Sequence, residues 1–477
     1  MNSIGKLLGT SLLPSVFLVL LFSYTSTAAA QAPGTFTPTA NMSTPRVNHT
    51  ATLLLNGKVL ITGGSNSNGL LASAELFDPV TGTFSAIGNM TTPHFLHSAT
   101  MLPDGRVLIA GGHVLDDRNL PAQPLAAAEL FDPSTGTFTP TGNMVRPQAG
   151  DTSTLLNNGK VLISGTCQDW FYIDADAEGD RPELYDSVAG TFSAAGERAK
   201  YPRWCSGPVV LLANGKVLIA PTAELYDPAI DAFSSTGRRM TIGFYGSTAT
   251  LLRNGKVLVG GGTGDFGTSA NAELYDPSTE NFTATTNMTR ARAWSTATLL
   301  LDGTVLIAGG SYPSVSSAEL YDPATSTFTT AADMTSPRVG HTATLLMDGR
   351  ILITGGSTGQ TTLASAELYS PSVLVPAQVV TDLRFDRTSV VVGSSYSVNV
   401  SGSNLTPQTF LDVRFTAPGS NASNVALNWQ TGVASSHDVP PDLVPGSWKI
   451  TGVRAHEVET DHTGIFFPVS ATITVSP

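Results

Sequence analysis

The stretch Ala74-Glu-Leu-Phe-Asp-Pro79 decides the fold, because near copies of it recur along most of the chain. Each copy carries a glutamate at its second position, and neighbouring glutamates lie 41 to 54 residues apart. A period of about 40–50 residues built from short strands is typical of a β-propeller with one four-stranded blade per repeat. Seven copies therefore predict an all-β fold with seven blades. The copies begin at Ala74, Ala128, Pro182, Ala223, Ala272, Ala318 and Ala366.

Residues 49–90 show how one repeat makes four strands. An alternating, β-branched stretch predicts the first strand, and Asn56-Gly57 is a tight hairpin signal. The second strand is apolar enough to be buried on both faces and stops at Gly63-Gly64, where no side chain obstructs close packing. The third strand contains the repeated glutamate, and a turn precedes the fourth. The four predicted strands are residues 49–55, 58–62, 72–77 and 83–90.

The two ends of the repeat region predict how the ring closes. The seventh repeat lacks a fourth strand after Tyr369, whereas residues 36–42 form an unassigned fourth strand before the first repeat. We expect residues 36–42 to complete the last blade, which removes two exposed strand edges. The propeller is then predicted to span residues 31–372.

The chain begins with a short basic region, an apolar run and an Ala-x-Ala site, which predicts a signal peptide over residues 1–30. The protein is therefore expected to be secreted, periplasmic or held at the cell surface, with no membrane span in the mature chain. The formal net charge is −12, and no basic patch occurs, so nucleic acid is a poor candidate partner.

After Pro371 the repeat is lost, and residues 373–378 resemble a linker. Residues 379–477 contain alternating stretches such as Tyr396–Val400 and Phe410–Phe415. About seven short strands in about 100 residues predict an immunoglobulin-like β-sandwich.

The double glycine, followed by an aromatic residue in each of the next two strands, resembles the kelch repeat over residues 36–371. The usual last-strand tryptophan is phenylalanine here, as at Phe84, and it is expected to fill the same space between blades. A kelch propeller followed by a sandwich is similar to galactose oxidase and related secreted proteins. That resemblance implies copper-radical oxidation as a hypothesis to be tested residue by residue.

In that family, copper is held by two tyrosines and two histidines, and one tyrosine is cross-linked to a cysteine of the neighbouring blade. Cys205 and Tyr245 stand where the family places the cross-linked pair. The second tyrosine is missing, and Phe266 is only a loose counterpart of the stacking tryptophan. The histidines of the C-terminal region stand in no matching motif. They are His437, His456 and His462. We therefore expect no cofactor and no oxidation of galactose, with copper as the alternative.

A second candidate site comes from aligning the repeats on Met-x-x-Pro-Arg. The alignment puts four residues of consecutive blades in one slot: His341, His49, His97 and Asp151. Three imidazoles and a carboxylate would suit zinc or copper. Our interpretation is that the shared histidine belongs to the hydrogen bonding of the repeat, and a metal is the alternative.

The third repeat carries an insertion over residues 166–180 that contains two further candidate sites. Trp170, Phe171 and Tyr172 are loop aromatics of the kind that bind ligands, although they would also pack against blade four. Acidic residues alternate after them from Asp174 to Asp180, which favours a solvated loop, with calcium as the alternative. Further ligand-binding candidates lie in the loops after other double glycines: His113, Phe266 and Tyr312.

The chain has two cysteines, Cys167 and Cys205, at the same predicted mouth of adjacent blades. In an oxidising compartment they predict a disulfide, and a thioether between Cys205 and Tyr245 is the competing use. The repeated glutamates are predicted to be structural rather than catalytic, because catalysis needs one special pair. Their expected ion-pair partners are Arg46, Arg203, Arg292 and Arg338.

These patterns predict an exported protein that binds a carbohydrate or an extracellular protein at the mouth of the propeller. The alternatives are a galactose oxidase-like enzyme, another carbohydrate-active enzyme, and an architectural surface protein.

Overall fold

The computed structural model of the protein describes most of the chain after residue 33, within one unit that spans Ala32–Pro477. The described residues are 34–115, 121–149, 152–164, 182–196, 207–220, 222–237, 245–264, 267–311, 313–385, 389–391, 395–405, 409–419, 423–431, 434–438, 445–456, 461, 463 and 466–476. Within these residues no helix is long and apolar enough to cross a membrane.

Seven sheets with four antiparallel main strands each form the blades of the propeller in the described residues. Strands are numbered β1 to β41 in chain order. Blade 1 contains β2 (Thr50–Leu53), β3 (Val59–Thr62), β6 (Ala74–Asp78) and β7 (Thr83–Ala86). Blade 2 contains β8 (Ser98–Met101), β9 (Val107–Ala110), β12 (Ala128–Asp132) and β13 (Thr137–Pro140). Blade 3 contains β14 (Thr152–Leu155), β15 (Val161–Ser164), β16 (Glu183–Asp186) and β17 (Thr191–Ala194).

The remaining blades follow the same order of strands. Blade 4 contains β18 (Val209–Leu211), β19 (Val217–Ile219), β20 (Glu224–Asp227) and β21 (Ala232–Ser235). Blade 5 contains β22 (Tyr245–Leu251), β23 (Val257–Gly264), β25 (Ala272–Asp276) and β26 (Asn281–Ala284). Blade 6 contains β27 (Thr296–Leu299), β28 (Val305–Ala308), β29 (Ala318–Asp322) and β30 (Thr327–Thr330). Blade 7 contains β31 (Thr342–Leu345), β32 (Ile351–Thr354), β33 (Ala366–Ser370) and β1 (Thr35–Pro38).

Short strands decorate the loops that follow the second strand of three blades. They are β4 (Ser65–Asn66), β5 (Gly69–Leu70), β10 (His113–Leu115), β11 (Pro121–Pro124) and β24 (Gly267–Thr268). These additions lie on one face of the propeller, because the second strand of every blade runs towards that face.

The first strands of successive blades contact one another around a closed ring. The ring closes where β31 of blade 7 meets β2 of blade 1. The fourth strand of blade 7 is β1, which pairs antiparallel with β33 so that Phe36 faces Tyr369. The pairing of the first described strand with the last propeller strand is the closure that the strand count predicted.

Apolar side chains fill the space between blades. The second strand of blade 1 is fully buried, and its Val59 and Ile61 pack with Leu352 and Leu368 of blade 7. Every blade also pairs an aromatic residue of its third strand with a phenylalanine of its fourth, at ring-centroid distances near that of 4.9 Å between Phe77 and Phe84. Phenylalanine therefore occupies the space between blades in which the kelch repeat usually has tryptophan.

The C-terminal region folds into two further sheets. One contains β34 (Val379–Phe385), β36 (Ser395–Ser403) and β39 (Ala434–Asp438). The other contains β35 (Ser389–Val391), β41 (Ala471–Ser476), β40 (Gly446–His456), β37 (Phe410–Thr416) and β38 (Ser423–Thr431). Val398, Leu411 and Val453 lie in the shared apolar core, as expected for a β-sandwich.

The sandwich contacts the propeller through turns that join first and second strands. Arg253, in such a turn of blade 5, lies with its Nε 3.2 Å from Oδ2 of Asp461. In the corresponding turn of blade 7, the carbonyl oxygen of Met347 accepts the backbone N–H of Ala377 at 2.9 Å, and Ala377 lies just before the first strand of the sandwich. These turns lie on the face opposite the decorated loops, so both contacts lie away from the decorated face.

Candidate functional site at the propeller mouth

The mouth face is defined here as the face that carries the loops after the second strands and the connections between blades. Neighbouring blades are tied together there by the double glycines. Gly64 of blade 1 donates its backbone N–H to the carbonyl oxygen of His94 at 2.8 Å, and Gly356 of blade 7 donates to Arg46 at 2.9 Å. The loops of the mouth face therefore stand on a rigid base.

The repeated glutamates lie beneath the connections and hold them in place. The carboxylate of Glu75 accepts the backbone N–H groups of Ser43, at 2.8 Å, and Thr44. Its Oε1 also lies 2.9 Å from Nη2 of Arg46, and both side chains are buried. Arg292–Glu319 and Arg338–Glu367 repeat this ion pair at 3.0 and 2.9 Å. The prediction of structural glutamates paired with arginines is confirmed for these three blades, while Arg203 lies outside the described residues.

In the described residues, blades 2 and 3 keep the glutamate and replace the arginine. In blade 2, Nε2 of His94 lies 3.2 Å from Glu129, and its Nδ1 lies 2.7 Å from the carbonyl oxygen of Gly111. In blade 3, Gln148 donates from Nε2 to Glu183 at 3.0 Å. Burial raises the pKa of Glu183, whose buried side-chain partner is the neutral Gln148 rather than an arginine. The carboxylate position is thus constant, whereas its partner varies.

The shared histidines bridge neighbouring blades. Nε2 of His49 in blade 1 lies 3.0 Å from Oγ1 of Thr354 and 3.2 Å from Oγ1 of Thr342, both in blade 7. Nε2 of His97 makes the same contacts with Thr50 and Thr62 of blade 1, and His341 contacts Thr296 of blade 6. The interpretation that this histidine belongs to the hydrogen bonding of the repeat is confirmed.

Burial strongly favours the neutral form of these imidazoles. It lowers the pKa of His49 and of His97 well below the ordinary value, and it lowers the pKa of His341 to about 3. The Nδ1 atoms of the three rings are enclosed and make no hydrogen bond of good geometry. No group of three histidine, cysteine, aspartate or glutamate side chains is placed to hold a metal in the described part of the chain. Asp151, the fourth member of the alternative metal site, lies outside it.

Within the described residues, a partial ring of left-handed residues, one in each of five blades, stands immediately before the shared slot. Asn48, Leu96 and Trp294 have φ angles of 51°, 54° and 53°, and glycines take the same position in blades 5 and 7. The residues are linked across blades: Trp294 donates its backbone N–H to Gly246 at 2.8 Å, and Asn48 donates to Gly340 at 2.9 Å. A non-glycine residue in this conformation is strained, and such strain is concentrated at functional sites.

Two apolar side chains of this ring are open to solvent. Leu96 is 37% exposed and Trp294 is 39% exposed. The ring of Trp294 covers Gly246, where a Cβ would lie 2.8 Å from its Cδ2. Sequence reasoning missed both residues, although each stands one place before the shared slot, as Asn48 does before His49.

The described residues do not assemble a copper site. Tyr245 opens β22 and pairs with Thr263, but Cys205, its candidate cross-linking partner, lies outside the described residues. In the sandwich, Nε2 of His456 lies 3.2 Å from Oδ1 of Asp412. Of the other C-terminal histidines, His437 lies in β39, and His462 is outside the described residues. Among the described residues, no complete set of copper ligands is therefore present.

The remaining predicted site residues are mostly beyond the described ranges. His113 is described, and it lies in β10 with only 4% of its surface exposed. The acidic run from Asp174 to Asp180 and the predicted disulfide also lie outside them. So do the other residues of these predictions: Trp170, Phe171, Tyr172, Phe266, Tyr312, Cys167 and Cys205.

Comparisons with known proteins agree with the fold. The Kelch motif profile matches residues 45–91 and 295–335. No curated protein sequence matches the chain. Among solved structures, the chain is similar to a novel fungal alcohol oxidase with catalytic diversity among the AA5 family, in complex with copper. The likeness has a TM-score of 0.61 at 20% identity and covers 93% of this chain and 100% of that chain.

The kelch repeat, the closure of the ring by β1 and the C-terminal sandwich together define the class of protein. It is a kelch-repeat β-propeller with galactose oxidase-like architecture. At 20% identity the structural likeness concerns the fold. Function has to be argued from the site.

Proposed function

We propose that this protein is an exported binding protein that recognises a carbohydrate at the mouth face, with an extracellular protein as the alternative ligand. The observation that carries the proposal is the exposed indole of Trp294, held at the propeller axis by a left-handed backbone. A flat, exposed aromatic ring can pack against the apolar face of a sugar.

The rigidity of the mouth face supports this role. The backbone of Trp294 is hydrogen-bonded to Gly246, against which its ring also lies, and Arg292, two residues before it, forms the ion pair with Glu319. A side chain that is already held in place loses little conformational freedom when a ligand binds. Leu96, on the same ring of residues, adds a second exposed apolar group.

The test is glycan-array screening of purified protein, followed by titration calorimetry of the hits. Trp294→Asn is the informative variant, because asparagine occupies the equivalent position at Asn48 and tolerates the left-handed conformation. We expect it to weaken binding at least tenfold without lowering the melting temperature. Val80→Ala is the control, since Val80 is 92% exposed in a turn of the opposite face. Equal affinity of the two variants would refute a ligand site at Trp294, and binding only to proteins would select the alternative ligand.

A copper-radical oxidase is the second candidate function. It is supported by the likeness to the copper-bound AA5 alcohol oxidase and by the spacing of Cys205 and Tyr245. The second tyrosine of that family is missing from this sequence, which opposes it. Metal analysis combined with intact mass separates the two functions. Bound copper and a two-hydrogen mass deficit that survives reduction would favour the oxidase, as would peroxide production from galactose that is lost on Tyr245→Phe.

A further inference from the structure

A buried cluster of charged residues lies in the sandwich, far in sequence from the mouth face. Strands β37 and β40 pair so that Asp412 faces Arg454. Arg414 lies two residues after Asp412 in β37, and His456 lies two residues after Arg454 in β40. Because side chains alternate between the faces of a sheet, Arg414 and His456 lie on the same face as Asp412 and Arg454. Asp412, Arg414 and His456 are 0%, 5% and 4% exposed.

The two arginines share one aromatic ring. The guanidinium carbon of Arg414 lies 4.4 Å from the centroid of Phe466, and that of Arg454 lies 4.6 Å from it. Arg454 also donates from Nε to Oδ2 of Asp412 at 3.0 Å. One of the two cations therefore has a carboxylate partner.

Arg414 has no such partner. Its Nε is enclosed by the protein and has no hydrogen-bond acceptor, and no carboxylate pairs with its guanidinium in the described residues. Burial lowers its pKa to about 10, with a further contribution from the nearby charge of Arg454, so the group is still a cation at neutral pH. A buried charge without a counter-ion is costly. The cluster formed by Asp412, Arg414 and Arg454 carries one surplus positive charge.

The cluster lies near the junction of the sandwich with the propeller. Asp461, whose charge acts on Arg454, forms the ion pair with Arg253 of blade 5. Junctions between domains are common positions for small-ligand sites. The ion pair uses the charge of Asp461, which leaves Arg414 as the unpaired member.

We propose that Arg414 anchors a site for a small oxyanion, a carboxylate or a phosphate, at this junction. The guanidinium presents a planar fork of donors that matches two oxygens of either group, and Phe466 holds the plane of that fork. Arg454 adds positive potential without giving up its bond to Asp412. This site is independent of the mouth face and of the function proposed for it.

The experiment compares sodium malonate, sodium phosphate and sodium chloride at equal ionic strength, using the full chain. Melting temperature and titration calorimetry are the readouts. We expect malonate or phosphate, but not chloride, to raise the melting temperature in a saturable way, and the better of the two identifies the carboxylate or phosphate preference. Arg414→Met should weaken this binding at least tenfold. The control Arg384→Met should bind normally, because the Arg384 side chain is 80% exposed and forms only a surface pair.

Arg414→Lys guards against a folding defect, since it keeps the charge and loses only the planar fork. We expect it to bind more weakly than the unaltered protein and to remain folded. Equal stabilisation of the unaltered protein and Arg414→Met would overturn the proposal, and so would stabilisation by chloride to the same extent. Either result would mean that Arg414 packs on Phe466 without binding an anion.

Discussion

Gly355 of blade 7 lies directly against the imidazole of His49 in blade 1. A Cβ on Gly355 would come within 2.8 Å of Cε1 of His49, and it would approach the carbonyl oxygen of Arg46 still more closely. The glycine also has a φ of 59°. The double glycine therefore serves the next blade, because it leaves the room in which the neighbouring histidine reaches its threonines.

Gly355→Ala is accordingly expected to destabilise the propeller in two ways. A left-handed alanine costs about 1–2 kcal/mol by itself, and the clash with His49 adds to that cost. The matched control is Gly359→Ala, where φ is 88° and a Cβ would meet nothing within 4 Å. Urea unfolding should show a larger loss for Gly355→Ala than for the control. Equal losses in the free energy of unfolding would mean that the contact with His49 does not contribute to stability.

The buried pair Arg338–Glu367 should be costly to break from either side. Arg338→Met leaves the Glu367 carboxylate buried without its cation, and such a change costs about 3–5 kcal/mol. The double variant Arg338→Met with Glu367→Leu is expected to lose less than the sum of the single variants. The exposed pair Arg384–Asp382 is the control, and its loss should cost less than about 1 kcal/mol. Additive losses at Arg338 and Glu367 in chemical unfolding would contradict the pairing.

His341 should make the propeller less stable in acid. Its folded-state pKa is about 3, whereas an unfolded histidine titrates near 6.5. Between these values only the unfolded chain takes up the proton, so stability is complete above about pH 6.5 and falls as the pH drops towards 3. His341→Gln should make this fall shallower, by up to about 1.4 kcal/mol per pH unit. Thr296→Val is the control, because it removes the hydrogen bond while the titrating group stays, so its curve should be displaced with little change of slope.

Removing residues 34–38 should open the ring. The deletion takes away β1 and exposes the edge of β33, including Tyr369, whose ring packs 4.9 Å from that of Phe36. We expect aggregation or a large loss of thermal stability, measured by light scattering and melting. Thr35→Ala, at an exposed position of the same strand, is expected to change neither. A soluble deletion variant with unchanged melting would show that closure contributes nothing.

The repeat made most of the propeller predictable. The predicted second strand, residues 58–62, is observed as Val59–Thr62, and the predicted third strand, residues 72–77, as Ala74–Asp78. The buried ion pairs were predictable for the same reason, since a glutamate in every repeat needs a partner in its own repeat. Periodicity states which positions are equivalent, and equivalent positions share a structural role.

Positions at which the repeats differ were harder to interpret. Trp294 falls in a slot filled elsewhere by Asn48, Leu96 and glycine, so no shared side chain marked it. Its significance comes from the positive φ, which sequence patterns do not show for a tryptophan. His113 follows a double glycine, which predicts a loop position, whereas it lies in β10 with 4% of its surface exposed. Tertiary packing, which local patterns do not contain, decided both cases.

Closure also sets the order in which the protein can be finished. Thr37 and Leu368, which face each other across the seam, are 331 residues apart in the chain. Of the propeller strands, β1 is synthesised first, and it can pair with β33 only after blade 7 has been synthesised. A chain that stops early keeps an open seam with free backbone donors and acceptors, which invites pairing with other chains and attack by proteases. The pairing of β1 with β33 thus distinguishes a complete propeller from an incomplete one.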